Sequence, residues 1–209
     1  MERLAKKIAG SIGESLGKND EEIAVMAYGL IGILQFLAIF ILASVFGIIF
    51  GFWLEVLVVF LSVGFLRRLT GGAHSSGIYS CLVYSVIFIC GIAALARYLL
   101  PVLPLTANCA LCALIFAFGY FMVALKAPVA PPNKPCRTEA KRRRLRRGAF
   151  TVLSIFLVLV GVSIALKDSA GRIYTLGLAL ALSTLWQITM MTRAGHIFIT
   201  FIDKLFIKK

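Results

Sequence analysis

The sequence predicts an all-α integral membrane protein, and three observations carry that prediction. Of its 209 residues 60% are hydrophobic and only 15% charged, more apolar surface than a soluble domain of this length can bury. The apolar residues are gathered into runs of about 20, the length of helix that crosses a hydrocarbon core. No run alternates apolar and polar residues with period two, which excludes a transmembrane barrel and leaves a helical bundle. One membrane domain over residues 1–209 is expected.

The elements follow in order. In residues 1–22, Leu4, Ile8, Ile12 and Leu16 recur at four-residue intervals, with Lys6, Lys7, Glu14 and Lys18 on other faces. That pattern predicts an amphipathic helix lying on the membrane, weakened by Gly10, Gly13 and Gly17. It has no continuous apolar stretch and no small-residue cleavage site, so a cleavable signal is not expected. Asn19 followed by Asp20, Glu21 and Glu22 reads as a helix start. Six spans are then expected at about 24–46, 48–66, 78–96, 107–125, 149–166 and 173–191, the first two turning between Gly47 and Trp53. A glycine-rich loop, 67–77, separates the second from the third. A longer loop, 126–148, opens with prolines and closes on the basic run Lys141–Arg147. Its first half is expected to be extended and its second half to lie at the headgroups. The tail from Thr192 is amphipathic again, with Ile197, Phe201 and Leu205 four apart.

Charge sets the orientation. Of 22 Lys and Arg residues, 19 fall before Ile23, in the two loops just described, and after Thr192. Only Arg97, Lys167 and Arg172 fall in the other connections. Positive residues are retained on the cytoplasmic side, so both termini and both loops are expected there. The net charge of +13 is accordingly read as facing membrane lipids, not nucleic acid.

One segment carries residues suited to chemistry: Arg67-Arg68-Leu-Thr-Gly71-Gly72-Ala-His74-Ser-Ser-Gly77-Ile-Tyr-Ser-Cys81. A thiol needs a base to become a nucleophile at neutral pH, and imidazole suits that task. In one continuous helix, residues seven apart lie about 10 Å apart along the axis, too far for a hydrogen bond. The pair therefore requires His74 to stand off the helix, with Gly77 permitting the turn. On residue types alone, a helix-end histidine and a space-filling cysteine are the commoner occupants, so both readings stand. No metal site is expected, because there are two histidines and Cys109 and Cys112 sit in an apolar run without a second ligand pair. Those two cysteines read as packing, with a redox role as the weaker alternative, and the odd total of five gives no disulfide framework. Glu55 has two readings of equal weight: a functional carboxylate inside a span, or a water-exposed one near the Gly47–Trp53 turn. Gln35 is expected to bond between helices.

The Gly-Gly-x-His-x6-Cys element, taken with Lys126-Ala-Pro-Val…Asn133-Lys134-Pro135 and the basic run after it, resembles the accessory gene regulator protein B (AgrB) family over nearly the whole chain. The resemblance implies a multi-pass cysteine endopeptidase of the Gram-positive cytoplasmic membrane, working in quorum sensing without a cofactor. Such an enzyme cuts an AgrD-type propeptide on its C-terminal side and closes the product into a cyclic thiolactone through an acyl-enzyme thioester. Cys81 would be the nucleophile and His74 its base and later acid, facing the cytoplasm. Arg67 and Gly72 match positions that the family associates with activity. Gly71 and Gly72 would offer backbone N–H groups to an oxyanion, and Gly77 would shape the turn. Arg68, Arg142, Arg143 and Arg144 would hold an acidic substrate tail. A homodimer is also implied. Two other classes remain open on sequence: a small transporter or channel using Glu55, and a scaffold whose basic loop binds lipid or a partner.

Overall fold

The computed structural model describes residues 2–72, 77–129 and 138–206, with side chains as far as Lys204. His74, Asn133, Lys134, Pro135 and Cys136 lie outside the described residues. Those described are almost wholly helical. Helix α1 is Glu2–Ser15, α2 Asp20–Ile49, α3 Trp53–Thr70 and α4 Ile78–Ala94. They are followed by α5 Leu105–Lys126, α6 Glu139–Ala165, α7 Gly171–Thr189 and α8 Arg193–Phe206.

Helix α1 packs on α2 through its small residues Ala5, Ala9 and Gly13, leaving Leu4, Ile12 and Leu16 exposed. A Cβ on Gly13 would sit 2.3 Å from Ile23 Cγ1. The glycine expected to weaken this helix is thus what lets it close on its neighbour. Asn19 starts α2 as its residues predict: its side chain accepts the Glu22 N–H at 2.8 Å, while the Glu22 carboxylate accepts the Asn19 N–H at 3.3 Å. Only 11% of the most apolar stretch of α2 is buried in protein, so most of its surface is left for lipid. Gln35 donates to the Ile78 carbonyl at 3.4 Å, an interhelical bond of the kind expected. Beyond Ala94 the chain stays helical through a π turn, Leu95–Leu99, and a 3₁₀ turn, Leu100–Val102, past the expected end at 96. Pro101 lies within that last turn, and Pro104 follows it immediately before α5.

Four helical stretches, α2, Ile78–Val102, α5 and α6, are long and apolar enough to cross a membrane. Together α7 and α8 make a fifth if counted as one, although an 86° bend separates them. Helix α3 carries Glu55, Arg67 and Arg68 among its 18 residues, too many charges to qualify on composition. The chain is a multi-pass helical membrane protein. The basic run Lys141–Arg147, expected within a loop, belongs instead to the first turns of α6, which continue unbroken into its apolar part. Arg and Lys have straight stems and good helix propensity, so positive charge does not itself end a helix.

Three polar rungs join α3 to α7. Thr175 Oγ1 donates to Glu55 Oε1 at 2.7 Å, the Ser62 and Ser183 hydroxyls meet at 2.6 Å, and Gln187 Nε2 donates to Thr70 Oγ1 at 3.0 Å. The partners ascend together in both segments, so the two helices run parallel. Glu55 is wholly buried, with the Arg172 guanidinium 3.4 Å from its second oxygen. This overturns the water-exposed reading of Glu55. Its charge is answered within the protein by the start of a helix more than a hundred residues later, which local sequence cannot reveal. Glu55→Ala is expected to cost about 2–3 kcal/mol, less than for a fully buried pair because the Arg172 side chain is 39% exposed. Thermal melting in detergent checks this, and the double variant with Arg172→Ala should recover part of the loss.

Candidate functional site

Cys81 lies on the first turn of α4. The helix begins at Ile78 because Gly77 before it is extended, at φ −95° and ψ 132°. A Cβ on Gly77 would come within 2.5 Å of Ser80 Oγ, so glycine keeps this corner tight. The α4 helix therefore does not run back past Gly77. His74 itself lies outside the described residues. The Cys81 N–H bonds to the Gly77 carbonyl at 3.0 Å, so the thiol stands at a helix N-terminus, where the helix dipole favours negative charge.

The thiol is buried, and its sulfur contacts the Tyr84 hydroxyl at 3.8 Å. Beneath it Tyr84, Met190 and Ile199 form a small apolar cluster of their own. The floor is aromatic: Phe88 stacks on Trp186 at 3.9 Å, and Phe198 meets both edge-on. Helices α4, α7 and α8 each supply part of it.

At the end of α3, Gly71 and Gly72 have φ of +70° and +130°. The Val129 N–H donates to the Thr70 carbonyl at 2.8 Å, and Gly71 pairs with Val129 in a short parallel bridge. A Cβ on Gly71 would lie 1.9 Å from the Val129 carbonyl oxygen, and one on Gly72 would lie 3.1 Å from that of Met190. Dihedral and proximity both demand glycine at position 71. Gln187 on α7 completes the turn by donating to the Gly71 carbonyl at 2.8 Å. Arg146 Nε donates to the Ala127 carbonyl at 2.9 Å, tying the basic part of α6 to the same region. The two loops that sequence treats separately thus meet at one place.

The remaining predicted residues are more dispersed. Arg67 is half-buried on the last turn of α3 and Arg68 is exposed beside it. Arg142, Arg143 and Arg144 are exposed on α6, with Arg143 paired to Glu139 at 3.2 Å. Sequence reasoning missed Tyr84, Arg146, Gln187 and Asp203. Asp203, on α8, accepts a hydrogen bond from Ser80 Oγ at 3.0 Å. Two signals were available: Gln187 is a strongly polar residue within a span, and Asp203 is the one acidic residue after Thr192. Gly71→Ala is expected to cost about 1–3 kcal/mol in backbone strain alone and to loosen the Val129 bridge. Faster trypsin cleavage between Lys126 and Arg147 would report it.

The family model for accessory gene regulator B matches residues 5–202. The chain belongs to the accessory gene regulator B family. A putative AgrB-like protein of Clostridium perfringens strain SM101 is 30% identical over 206 residues, covering 97% of this chain and 96% of that protein. Putative AgrB-like protein 2 of strain 13 is 30% identical over 208 residues, again covering 97% and 96%. A putative AgrB-like protein of Halalkalibacterium halodurans is 30% identical over 160 residues, or 76% of each chain. No solved structure matches. Membership of the AgrB family supports an accessory gene regulator role in the membrane, as the resemblance of residues 67–81 implied. The matched range takes in the Gly71–Val129 bridge, the turn bearing Cys81, and α8 as far as Ile202.

Proposed function

We propose that this AgrB family member is a membrane-embedded cysteine endopeptidase that cleaves an AgrD-type propeptide and cyclises the product. The observation that carries the reading is the convergence of the Gly71–Gly72 turn and the Cys81 thiol on Met190. Gly72 approaches the Met190 carbonyl, and the Met190 side chain shares the buried cluster of Cys81. The Gly71 N–H is committed to the Arg67 carbonyl at 2.9 Å, so Gly71 does not supply the oxyanion donor expected of it and that part falls to Gly72, beside a nucleophile at a helix N-terminus.

The steps follow from those parts. His74 takes the thiol proton, and the Cys81 thiolate attacks a propeptide carbonyl. The tetrahedral oxyanion collapses to an acyl thioester as the protonated base returns its proton to the leaving amine, releasing the C-terminal tail. A thiol of the propeptide then attacks the acyl carbon, forming the cyclic thiolactone and restoring the Cys81 thiol. One thioester replaces another, so loss of the tail and scarcity of water drive the exchange. Arg68 and Arg142–Arg144 present exposed positive charge for an acidic tail.

The reading includes six crossings, α2 to α7, with the site on the cytoplasmic side. Helix α3 is counted because Glu55 is paired within the bundle and Arg67 and Arg68 stand at its inner end. With α7 crossing, the 86° bend lays α8 along the membrane plane with Ile197 and Phe201 exposed, and α1 lies likewise. A transporter using Glu55 loses its motive, because Arg172 and Thr175 already account for that carboxylate.

The test is co-expression with a peptide having an amphipathic start, a Cys or Ser core and an acidic end. Mass spectrometry should find a tail-less, cyclised product with the native chain. Equal product from Cys81→Ala would overturn the proposal.

A further inference from the structure

We infer that Asp203 is a positioning residue of the Cys81 site, its carboxylate orienting and charging the base that serves the thiol. The inference rests on the cysteine endopeptidase reading. It starts from one contact that joins residues 123 apart: Ser80 Oγ donates to Asp203 Oδ1 at 3.0 Å. Ser80 is buried and immediately precedes Cys81 on the first turn of α4. A carboxylate from the far end of the chain therefore stands at the nucleophile's own turn.

That placement is built into the packing. Helix α8 is anchored by the buried Ile199 and by Phe198, whose ring meets Phe88 at 5.5 Å and Trp186 at 6.0 Å. The bend that brings α8 back depends on Gly195, where a Cβ would lie 2.4 Å from the Thr189 carbonyl oxygen. Asp203 is thus carried on a packed helix, with the rest of the tail's ionic charge, on Arg193, Lys204, Lys208 and Lys209, positive.

Chemistry then narrows the role. Two anions side by side repel, so a carboxylate placed directly against a thiolate opposes its formation. A carboxylate favours thiolate formation when a cation stands between them, and a protonated imidazole is such a cation. A nucleophile, a base and a third group that fixes the base are the recurring arrangement for this chemistry. Asp203 does not attack or transfer a proton to substrate. It holds the base in one orientation and stabilises its charged form.

The competing role is a tether between α8 and α4, and three substitutions separate the two. Asp203→Asn keeps an oxygen that can accept from Ser80 but removes the charge. Asp203→Glu keeps the charge, and Ser80→Ala leaves the carboxylate in place but removes the hydroxyl that bonds to it and, also at 3.0 Å, to the Gly77 carbonyl. With the full-length protein and a co-expressed or added propeptide, Asp203→Asn is expected to lower kcat by about a hundredfold or more with little change in KM. Asp203→Glu should recover at least about tenfold of that loss and Ser80→Ala should stay within about tenfold of native. Iodoacetamide labelling of Cys81 in membranes, read by peptide mass at that site, should be several times slower in Asp203→Asn and should not slow in Ser80→Ala. A native kcat and native labelling in Asp203→Asn would overturn the inference. So would Ser80→Ala matching Asp203→Asn in every readout, the signature of a tether. Cys81→Ala distinguishes the two levels: product without Cys81 sinks the peptidase reading, whereas its loss alongside an active Asp203→Asn sinks only the role of Asp203.

Discussion

Cys81→Ala is expected to abolish the cyclised product, and Cys81→Ser to separate cleavage from cyclisation. Alanine removes the sulfur that forms the proposed acyl intermediate, a loss on the order of 10⁴-fold or more. His74→Ala should come close to it. The two changes together should be little worse than either alone, because a nucleophile and its base act as one unit. Serine is more informative. Its hydroxyl is a weaker nucleophile at neutral pH, and the oxygen ester it forms is less readily displaced by a propeptide thiol than a thioester is. Residual cleavage with a linear, tail-less peptide would match the proposed sequence of steps. Mass spectrometry of cell extracts and medium reads both products in one experiment.

Gln187→Leu is expected to cause a large loss of activity from a residue outside the reacting groups. Gln187 is wholly buried, and its amide bridges Thr70 Oγ1 at 3.0 Å and the Gly71 carbonyl at 2.8 Å. Leucine has a similar volume but no donor, leaving the Gly71 carbonyl without that bond in an apolar setting, at about 1–3 kcal/mol. The strain falls on a turn already held at φ +70° and +130°. Displacement of that turn by about 1 Å would cost about a hundredfold in rate, since acyl transfer depends on where the oxyanion donors stand. Rate loss with a melting temperature lowered by only a few degrees would fit this account. An active Gln187→Leu protein would show that the turn needs no support from α7.

Where sequence and structure agree, and where they part, follows from the range of the interactions involved. Helix existence was legible from runs such as 24–46 and 107–125, because lipid solvation imposes long apolar segments. The start of α2 at Asn19 was legible because a capping box is complete within four residues. The role of Gly13 was not, since a glycine that weakens an isolated helix is the one that admits Ile23 when a neighbour arrives. Glu55 could not be settled locally, because its partners lie on a helix more than a hundred residues on. Gln187 and Asp203 each stand out in their own segments as a polar residue in a span and a lone acid in the tail, but their partners, Gly71 and Ser80, lie more than a hundred residues away.

The amino-acid sequence by itself therefore determined the membrane class, the Gly-Gly-x-His-x6-Cys pattern and the lopsided distribution of positive charge. These depend on composition, periodicity and spacing, which need no partner segment to be read. Only the tertiary structure decided that α3 and α7 run parallel on three polar rungs, that Val129 closes on Gly71, and that α8 folds back to set Asp203 beside Ser80. Each joins segments between about sixty and more than a hundred residues apart. In a bundle whose surfaces are apolar almost throughout, hydrophobicity tells helices to associate but not which faces meet. Close-fitting glycines and buried polar contacts make that choice, and they become visible only once the helices are packed.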